Sequence, residues 1–244
     1  MIEIEKQLKR LRLSGITETI NERNREAIKA KLSYLDFLKM ILQDEELQRS
    51  NKKFGSRMRS AKFKSVKGVE DFDFKFNPKI NEAQIKDLAL CNFIKDCSPI
   101  HIVGPSGTGK SHIAQAIGRV AIMKGHEVLF VSQTNLLKDL QHAQATNNVS
   151  KFKKRLSSVT VLIIDDFGIK PLTECLEELL HEVIDDRYER LPIIITSNLH
   201  FDEWSDAFKN KLLAAAVIDR LKGNAHEVIL TGKSYRQIKK TSIK

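Results

Sequence analysis

Ile100-His101-Ile102-Val103-Gly104-Pro105-Ser106-Gly107-Thr108-Gly109-Lys110-Ser111 is a short apolar run, a glycine-rich loop and the start of an amphipathic segment. From Gly104 to Ser111 it fits the pattern G-x-x-x-x-G-K-[ST] without a mismatch. The residue types explain the pattern. Glycines let backbone N–H groups close around a polyphosphate that side chains would hold off. The helix that follows turns its N-terminus toward the same charge. Lys110 supplies a positive charge for the terminal phosphates, and the Ser111 hydroxyl is a ligand for Mg²⁺. The bland alternative is a flexible turn that merely ends a strand. Strand, loop and helix in the required order favour the phosphate loop: Gly104, Pro105, Ser106, Gly107, Thr108, Gly109, Lys110 and Ser111.

Outward from this loop, the chain beyond Pro78 alternates between helical and extended patterns. Helical periods span residues 80–93, 111–124, 134–145 (with Thr134 as N-cap), 151–156 and 173–190, and a broken helix spans 201–220. Strands are expected at 100–103, 128–132, 159–165, 192–197 and 226–230. Apolar strands that alternate with helices imply an α/β fold, a parallel five-stranded sheet covered on both faces.

Two of these strands end in polar residues. Val161-Leu162-Ile163-Ile164-Asp165-Asp166 lies about fifty residues past the loop, the range of a Walker B strand. A buried strand delivers Asp165 rigidly to the edge where ligands bind in open parallel sheets. Asp165 is the candidate magnesium holder, and Asp166 the candidate acid that orients and deprotonates a water. Ile193-Ile194-Ile195-Thr196-Ser197-Asn198 ends in an amide able to donate and accept at once, at a phosphate or at the water. Arg220 stands at a helix end, suited either to a local ion pair or to a neighbouring subunit's nucleotide site. Arg236 follows the last strand and is a candidate phosphate contact in its own subunit. His112 reads as a packed helix histidine.

The 244 residues carry a net charge of +10, unevenly placed. Residues 1–68 hold 17 basic against 9 acidic side chains, and the remainder 24 against 22. A polyanion partner follows, nucleic acid before a membrane surface. Residues 1–60 read as helices, with Gly15 and the region 31–33 as separators and Ser33 as an N-cap with Asp36 three residues on. From Arg49 to Val69 there is no acidic residue. Lys52, Lys53, Arg57, Arg59, Lys62 and Lys64 fall in this run, and Lys153, Lys154 and Arg155 form a second basic group. Phosphate contact is one reading and a solvated basic linker the other. Asp71-Phe72-Asp73-Phe74-Lys75-Phe76 reads as an extended connector, so the boundary falls between a domain of residues 1–77 and one of 78–244. No apolar run approaches the ~20 residues of a membrane helix. The charged N-terminus is not a secretory signal. Cys91, Cys97 and Cys175 lack metal-ligand spacing and read as thiols of a reducing cytosol.

Several stretches together resemble the IstB-like transposition helpers, AAA+ ATPases related to the helicase loader DnaC. They are Gly104–Ser111 with His112-Ile113-Ala114, Ile164-Asp165-Asp166-Phe167-Gly168, Ile195-Thr196-Ser197-Asn198-Leu199, Ala214 to Leu221, and Gly232-Lys233-Ser234-Tyr235-Arg236. The resemblance implies an ATPase using ATP and Mg²⁺, working beside a transposase in the bacterial cytoplasm. It would bind duplex DNA with little sequence choice and self-assemble on it with ATP sites shared between subunits. Asn198 falls at the sensor-1 position, Arg220 at the arginine finger and Arg236 at sensor 2. Asp166 stands where AAA+ proteins more often carry Glu, and Ala216 where loader relatives tend to carry a further arginine. The short tail after Leu230 leaves no room for a full helical lid. A helicase loader and a nucleotide-gated DNA-binding adaptor with negligible hydrolysis are the rival readings.

Overall fold

The computed structural model describes residues 2–65 and 67–235. It divides into two compact units, Met1–Arg57 and Met58–Lys244. The division falls twenty residues ahead of the boundary expected from composition. The reason is that residues 58–77 pack on the second unit. The Phe63 ring lies against Gly118 and 6.2 Å from the Phe130 ring. The main-chain N–H groups of Lys64 and Ser65 both donate to Gln115 Oε1, at 2.7 and 3.0 Å. Buried rings and paired backbone groups decide membership in a core; a basic composition does not.

The first unit holds α1 (Ile2–Arg10), α2 (Ser14–Ala30) and all but the last four residues of α3 (Tyr34–Ala61). Ser33 caps α3 as expected, accepting from Asp36 N at 3.2 Å. Gly15 does not separate helices but stands inside the first turn of α2. A Cβ there would meet Asp44 O and Glu45 Cα at 2.7 Å. That close approach lets buried Glu45 accept from Gly15 N (2.7 Å) and Ile16 N (3.2 Å), capping α2 from α3. The core is thin: Ile16, Ile20 and Ile41, with Leu8, Leu13 and Phe37 against them. Leu35, Leu38 and Leu42 of the same apolar stripe stay exposed.

In the second unit, α4 (Glu82–Leu88) and a 3₁₀ turn (Asn92–Ile94) lead to β1 (Ile100–Val103). Then follow α5 (Lys110–Met123), β2 (Val128–Ser132), α6 (Gln133–Ala145), α7 (Val149–Ser158) and β3 (Val161–Phe167). α8 (Glu174–Arg187), β4 (Ile193–Ser197), a 3₁₀ segment (Phe201–Ala207), α9 (Lys211–Lys222) and β5 (His226–Ile229) complete the order. The strands form one parallel sheet, β2-β3-β4-β1-β5. β1, β3 and β4 lie inside it and are buried along their length apart from Asp166, and burial on both faces is why they run apolar without alternation, His101 and the polar strand ends excepted. Side chains alternate between faces: Ile163 meets α5 at Gly118, whereas Leu162 and Ile164 join the core of Leu176, Leu180 and Val183. Ser132, not Thr134, caps α6, accepting from Asn135 N at 3.4 Å. β3 runs two residues further than expected, to Phe167.

His101 is buried in β1 against Phe201 and Trp204, ring centroids 4.2 and 5.2 Å away. Burial pushes its pKa down to about 4, although Glu227, 3.3 Å from Nδ1, pulls upward. A depressed histidine binds its proton in the unfolded chain first. Its contribution is therefore complete above pH 6.5 and is lost as pH falls toward 4, by roughly 3 kcal/mol. Denaturation midpoints measured across this window should fall with pH, and His101→Leu should flatten the slope. An unaltered slope would show that His101 does not carry it.

Candidate nucleotide-binding site

The phosphate loop turns between the end of β1 and the start of α5. Gly109 has φ +104°, a left-handed geometry, and a Cβ there would collide with the Phe72 ring. Gly104 has the same restriction for another reason, since a Cβ would strike the carbonyl of Leu230. Lys110 is only 6% exposed. Its Nζ donates to Gly104 O (2.7 Å), Pro105 O (2.9 Å) and Asn198 Oδ1 (2.7 Å). The lysine thus reaches back over its own loop and meets the residue that follows β4. α5 opens at Lys110, so its first amides and positive dipole end face the loop.

The two acids are placed differently. Asp165 is 1% exposed. Its Oδ1 accepts from Thr196 Oγ1 at 2.7 Å, and its Oδ2 pairs with Lys64 Nζ at 3.1 Å. Asp166 N donates to that same Thr196 oxygen at 3.0 Å. The β3–β4 register shifts between Ile164 and Phe167, and Asp166 takes φ +59°. A bulge of this kind re-aims a side chain out of the strand's alternation. Asp166 lines a cleft of about 330 Å³ with Ser106, Lys110, Ser111 and Asn198. The structure therefore brings the loop, Lys110, Ser111, Asp166 and Asn198 around one space, while Asp165, the residue before Asp166 in β3, is buried on Thr196.

A second cavity of about 260 Å³ adjoins the first, sharing Gly109, His112 and Tyr235 with it. Its wall includes Lys67, Asp71, Phe72, Asp73, Phe76 and Asn77, and residues 71–76 read from sequence as an extended connector. Phe72 stacks edge-on to His112 (5.4 Å), and Phe76 to Tyr235 (5.0 Å). His112 also lies 2.8 Å from Gly68 O, a packed histidine as expected. The available signal was the aromatic at every second position, Phe72, Phe74 and Phe76, more than a solvated linker needs.

The remaining candidates are scattered. Arg220 pairs with Asp185 Oδ1 at 2.8 Å and lines a crevice with Pro99 and Ile193, where β1 and β4 begin. It is not brought to the loop of its own chain. Arg236 and the rest of the tail beyond Tyr235, on which the lid expectation partly rests, lie outside the described residues. Lys62 faces Asp139 at 3.8 Å, and Lys64 is on Asp165. Lys153 holds Glu182 at 2.8 Å, which raises its pKa. Lys53, Arg59, Lys154 and Arg155 are exposed. In the first unit Lys52 donates to Ser14 Oγ at 2.6 Å, and Arg57 is partly buried.

The sequence model of one family, described as IstB-like ATP binding protein, matches residues 6–243. The chain belongs to that family. This IstB-like chain is 34% identical over 236 residues to an IS21 insertion-sequence protein of Pseudomonas aeruginosa, covering 97% of the chain and 89% of the relative. It is 33% identical over 234 residues to an insertion-sequence protein of Mycobacterium tuberculosis, covering 96% and 93%. Both relatives are named for ATP binding. Among solved structures, the fold matches DnaI (TM-score 0.58, 21% identity, 69% of this chain and 90% of that one). It also matches the DnaC helicase loader (0.56, 20%, 67% and 96%) and AMPPCP-bound DnaA from Aquifex aeolicus (0.59, 23%, 75% and 56%). The fold of the IstB-like chain is thus the AAA+ P-loop fold, and its role is an ATP-binding one associated with insertion sequences. No helix among the described residues is long and apolar enough to cross a membrane.

Thr196 is the hinge of the site, donating to one aspartate and accepting from the backbone of the next. Thr196→Val keeps the shape and leaves a buried carboxylate oxygen short of a donor. Chemical denaturation should show a loss of about 1–3 kcal/mol, largely recovered in Thr196→Ser. A midpoint unchanged in the valine variant would remove Thr196 as the partner that holds the acids.

Proposed function

We propose that this chain is an ATP-hydrolysing, DNA-binding helper of transposition. The observation that carries the reading is the convergence of Lys110, Ser111, Asp166 and Asn198 on one cleft, with Asp165 fixed beside it. The fit to ATP and Mg²⁺ is physical: a loop whose glycines at 104, 107 and 109 have positive φ and no room for a Cβ, a buried lysine, a helix N-terminus and oxygen ligands from Ser111 and Asp165. When bound, Mg²⁺·ATP supplies the phosphoanhydride bond and the charge neutralisation for its cleavage. The chain's own groups do the rest. Loop amides and Lys110 hold the phosphates, Asp166 accepts the proton of the attacking water, and Asn198 orients that water. The cavity walled by Phe72, Phe76 and Tyr235 is apolar enough for a purine base.

Arg220 sits at the far edge of the sheet from its own loop, which supports a role in a second copy's cleft and hence an oligomer with shared sites. The exposed basic side chains Lys53, Arg59, Lys154 and Arg155 support duplex DNA as partner through its backbone. The insertion-sequence relatives support a transposase as the protein partner. The likeness to DnaC and DnaI keeps a helicase loader as the second reading.

Asp166→Asn should lower ATP turnover at least about a hundredfold while leaving ATP binding within about threefold. Turnover unchanged in that variant would refute the acid's role, and negligible turnover in the wild type would favour the adaptor. Lys110→Ala should abolish ATP-dependent assembly on duplex DNA, read by light scattering. If about six phosphates are neutralised, DNA affinity should fall roughly a thousandfold between about 50 and 200 mM salt. Salt-insensitive binding would remove the backbone-contact reading.

A further inference from the structure

Lys64 belongs to the acid-free basic run, yet its ammonium lies 3.1 Å from Asp165 Oδ2, inside the candidate magnesium site. The placement is built from the sequence around it. Phe63 packs on Gly118 and Phe130. The N–H groups of Lys64 and Ser65 are clamped by Gln115 Oε1, and Gln115 Nε2 donates to Ser111 O at 2.8 Å. The backbone is therefore anchored on the first turns of α5. The side chain is not: half of it is exposed, and its Nζ stands over the Phe130 ring, 5.3 Å from the centroid. A flexible lysine stem reaches Asp165 on one side and solvent on the other.

The two partners of Asp165 differ in kind. Thr196 is neutral and compatible with a metal ion on the other oxygen. Lys64 is a cation, and a second cation on Oδ2 is repelled by it. A phosphate group outside would attract the same ammonium.

We propose that Lys64 is a shared cation. It neutralises Asp165 when no polyanion is bound, and duplex DNA draws it away, so that DNA binding opens Asp165 to Mg²⁺. The inference rests on the DNA-binding reading above. Because coupling between sites is reciprocal, Mg²⁺·nucleotide must favour DNA by the same factor that DNA favours Mg²⁺·nucleotide. The lysine being half-exposed, the factor is modest, about fivefold.

The test is a titration of Mg²⁺ into full-length protein with a fluorescent ATP analogue, with and without duplex at low salt. In the wild type, duplex should lower the Mg²⁺ midpoint about fivefold. Lys64→Met should have the low midpoint without duplex, and duplex should move it no further; Lys64→Arg should behave as the wild type. A Lys64→Met midpoint equal to or above the wild-type one overturns the proposal, as does a duplex shift that survives in the variant. If Lys64→Met does not fold, Lys64→Gln takes its place. Separate outcomes mark separate failures. Duplex that never binds the wild type refutes the DNA reading, and Lys64→Met must still lower the midpoint. Duplex that binds with steep salt dependence but leaves the wild-type midpoint unmoved refutes the shared cation alone.

Discussion

A carboxylate removed from water must be hydrogen-bonded and paired, or the strand that carries it will not hold it there. Asp165 is nearly inaccessible at the end of β3, and its two oxygens are satisfied from two distant parts of the second unit. Thr196 comes from the neighbouring strand, and Lys64 comes from residues 58–77. Satisfying one buried acid thus ties sheet, connector and α5 into one arrangement. The same ties set the distances within the cleft, because Thr196 also receives Asp166 N. Rigidity at this edge is inherited from the sheet's core and not from the loop itself.

The bulge that follows explains a departure from the commoner AAA+ pattern. Asp166 adopts φ +59°, a region that Asp and Asn visit more readily than most residues because their short polar side chains bond locally. A longer side chain gains less from that local bonding. The short acid at this position is therefore consistent with the backbone it stands on, and from the bulge it lines the cleft.

How far the sequence could be read depended on whether a feature was local. The phosphate loop, the strand of Asp165 and the strand of Thr196 were legible because a strand buried on both faces writes itself as a continuous apolar run. Their order in the sheet, β2-β3-β4-β1-β5, was not legible in this way, because right-handed crossovers fix the face on which a helix packs and not which strands become neighbours. Residues 58–77 were not legible either. Their membership in the second unit depends on Phe63 finding Gly118 and on Gln115 clamping two amides some fifty positions away. Nothing in a basic composition announces such contacts. Lys64 was grouped with phosphate-binding lysines for its neighbours in sequence, while its partner in the fold is one hundred and one residues on. In the first unit the apolar stripe on α3 was visible, but periodicity alone did not tell which half of it, Phe37 and Ile41 or Leu35 and Leu38, would be covered.

The position of Arg220 follows from the parallel direction of the sheet. The loop leaves the C-terminal end of β1, and Arg220 lies beside Pro99 and Ile193, at the ends where β1 and β4 begin. β1 is four residues long, so at about 3.3 Å per residue roughly 13 Å of packed sheet separates the two edges. A guanidinium already paired with Asp185 on its own face does not cross that thickness. The arginine-finger role proposed above therefore requires a nucleotide held by another copy, and in that proposal the Asp185 pair is given up or shared. Because Asp185 is more than half exposed, breaking the pair costs little, on the order of 1 kcal/mol or less. On the proposed reading of shared sites, a parallel sheet with its nucleotide at one edge and its arginine at the other is a subunit whose chemistry closes only by repetition.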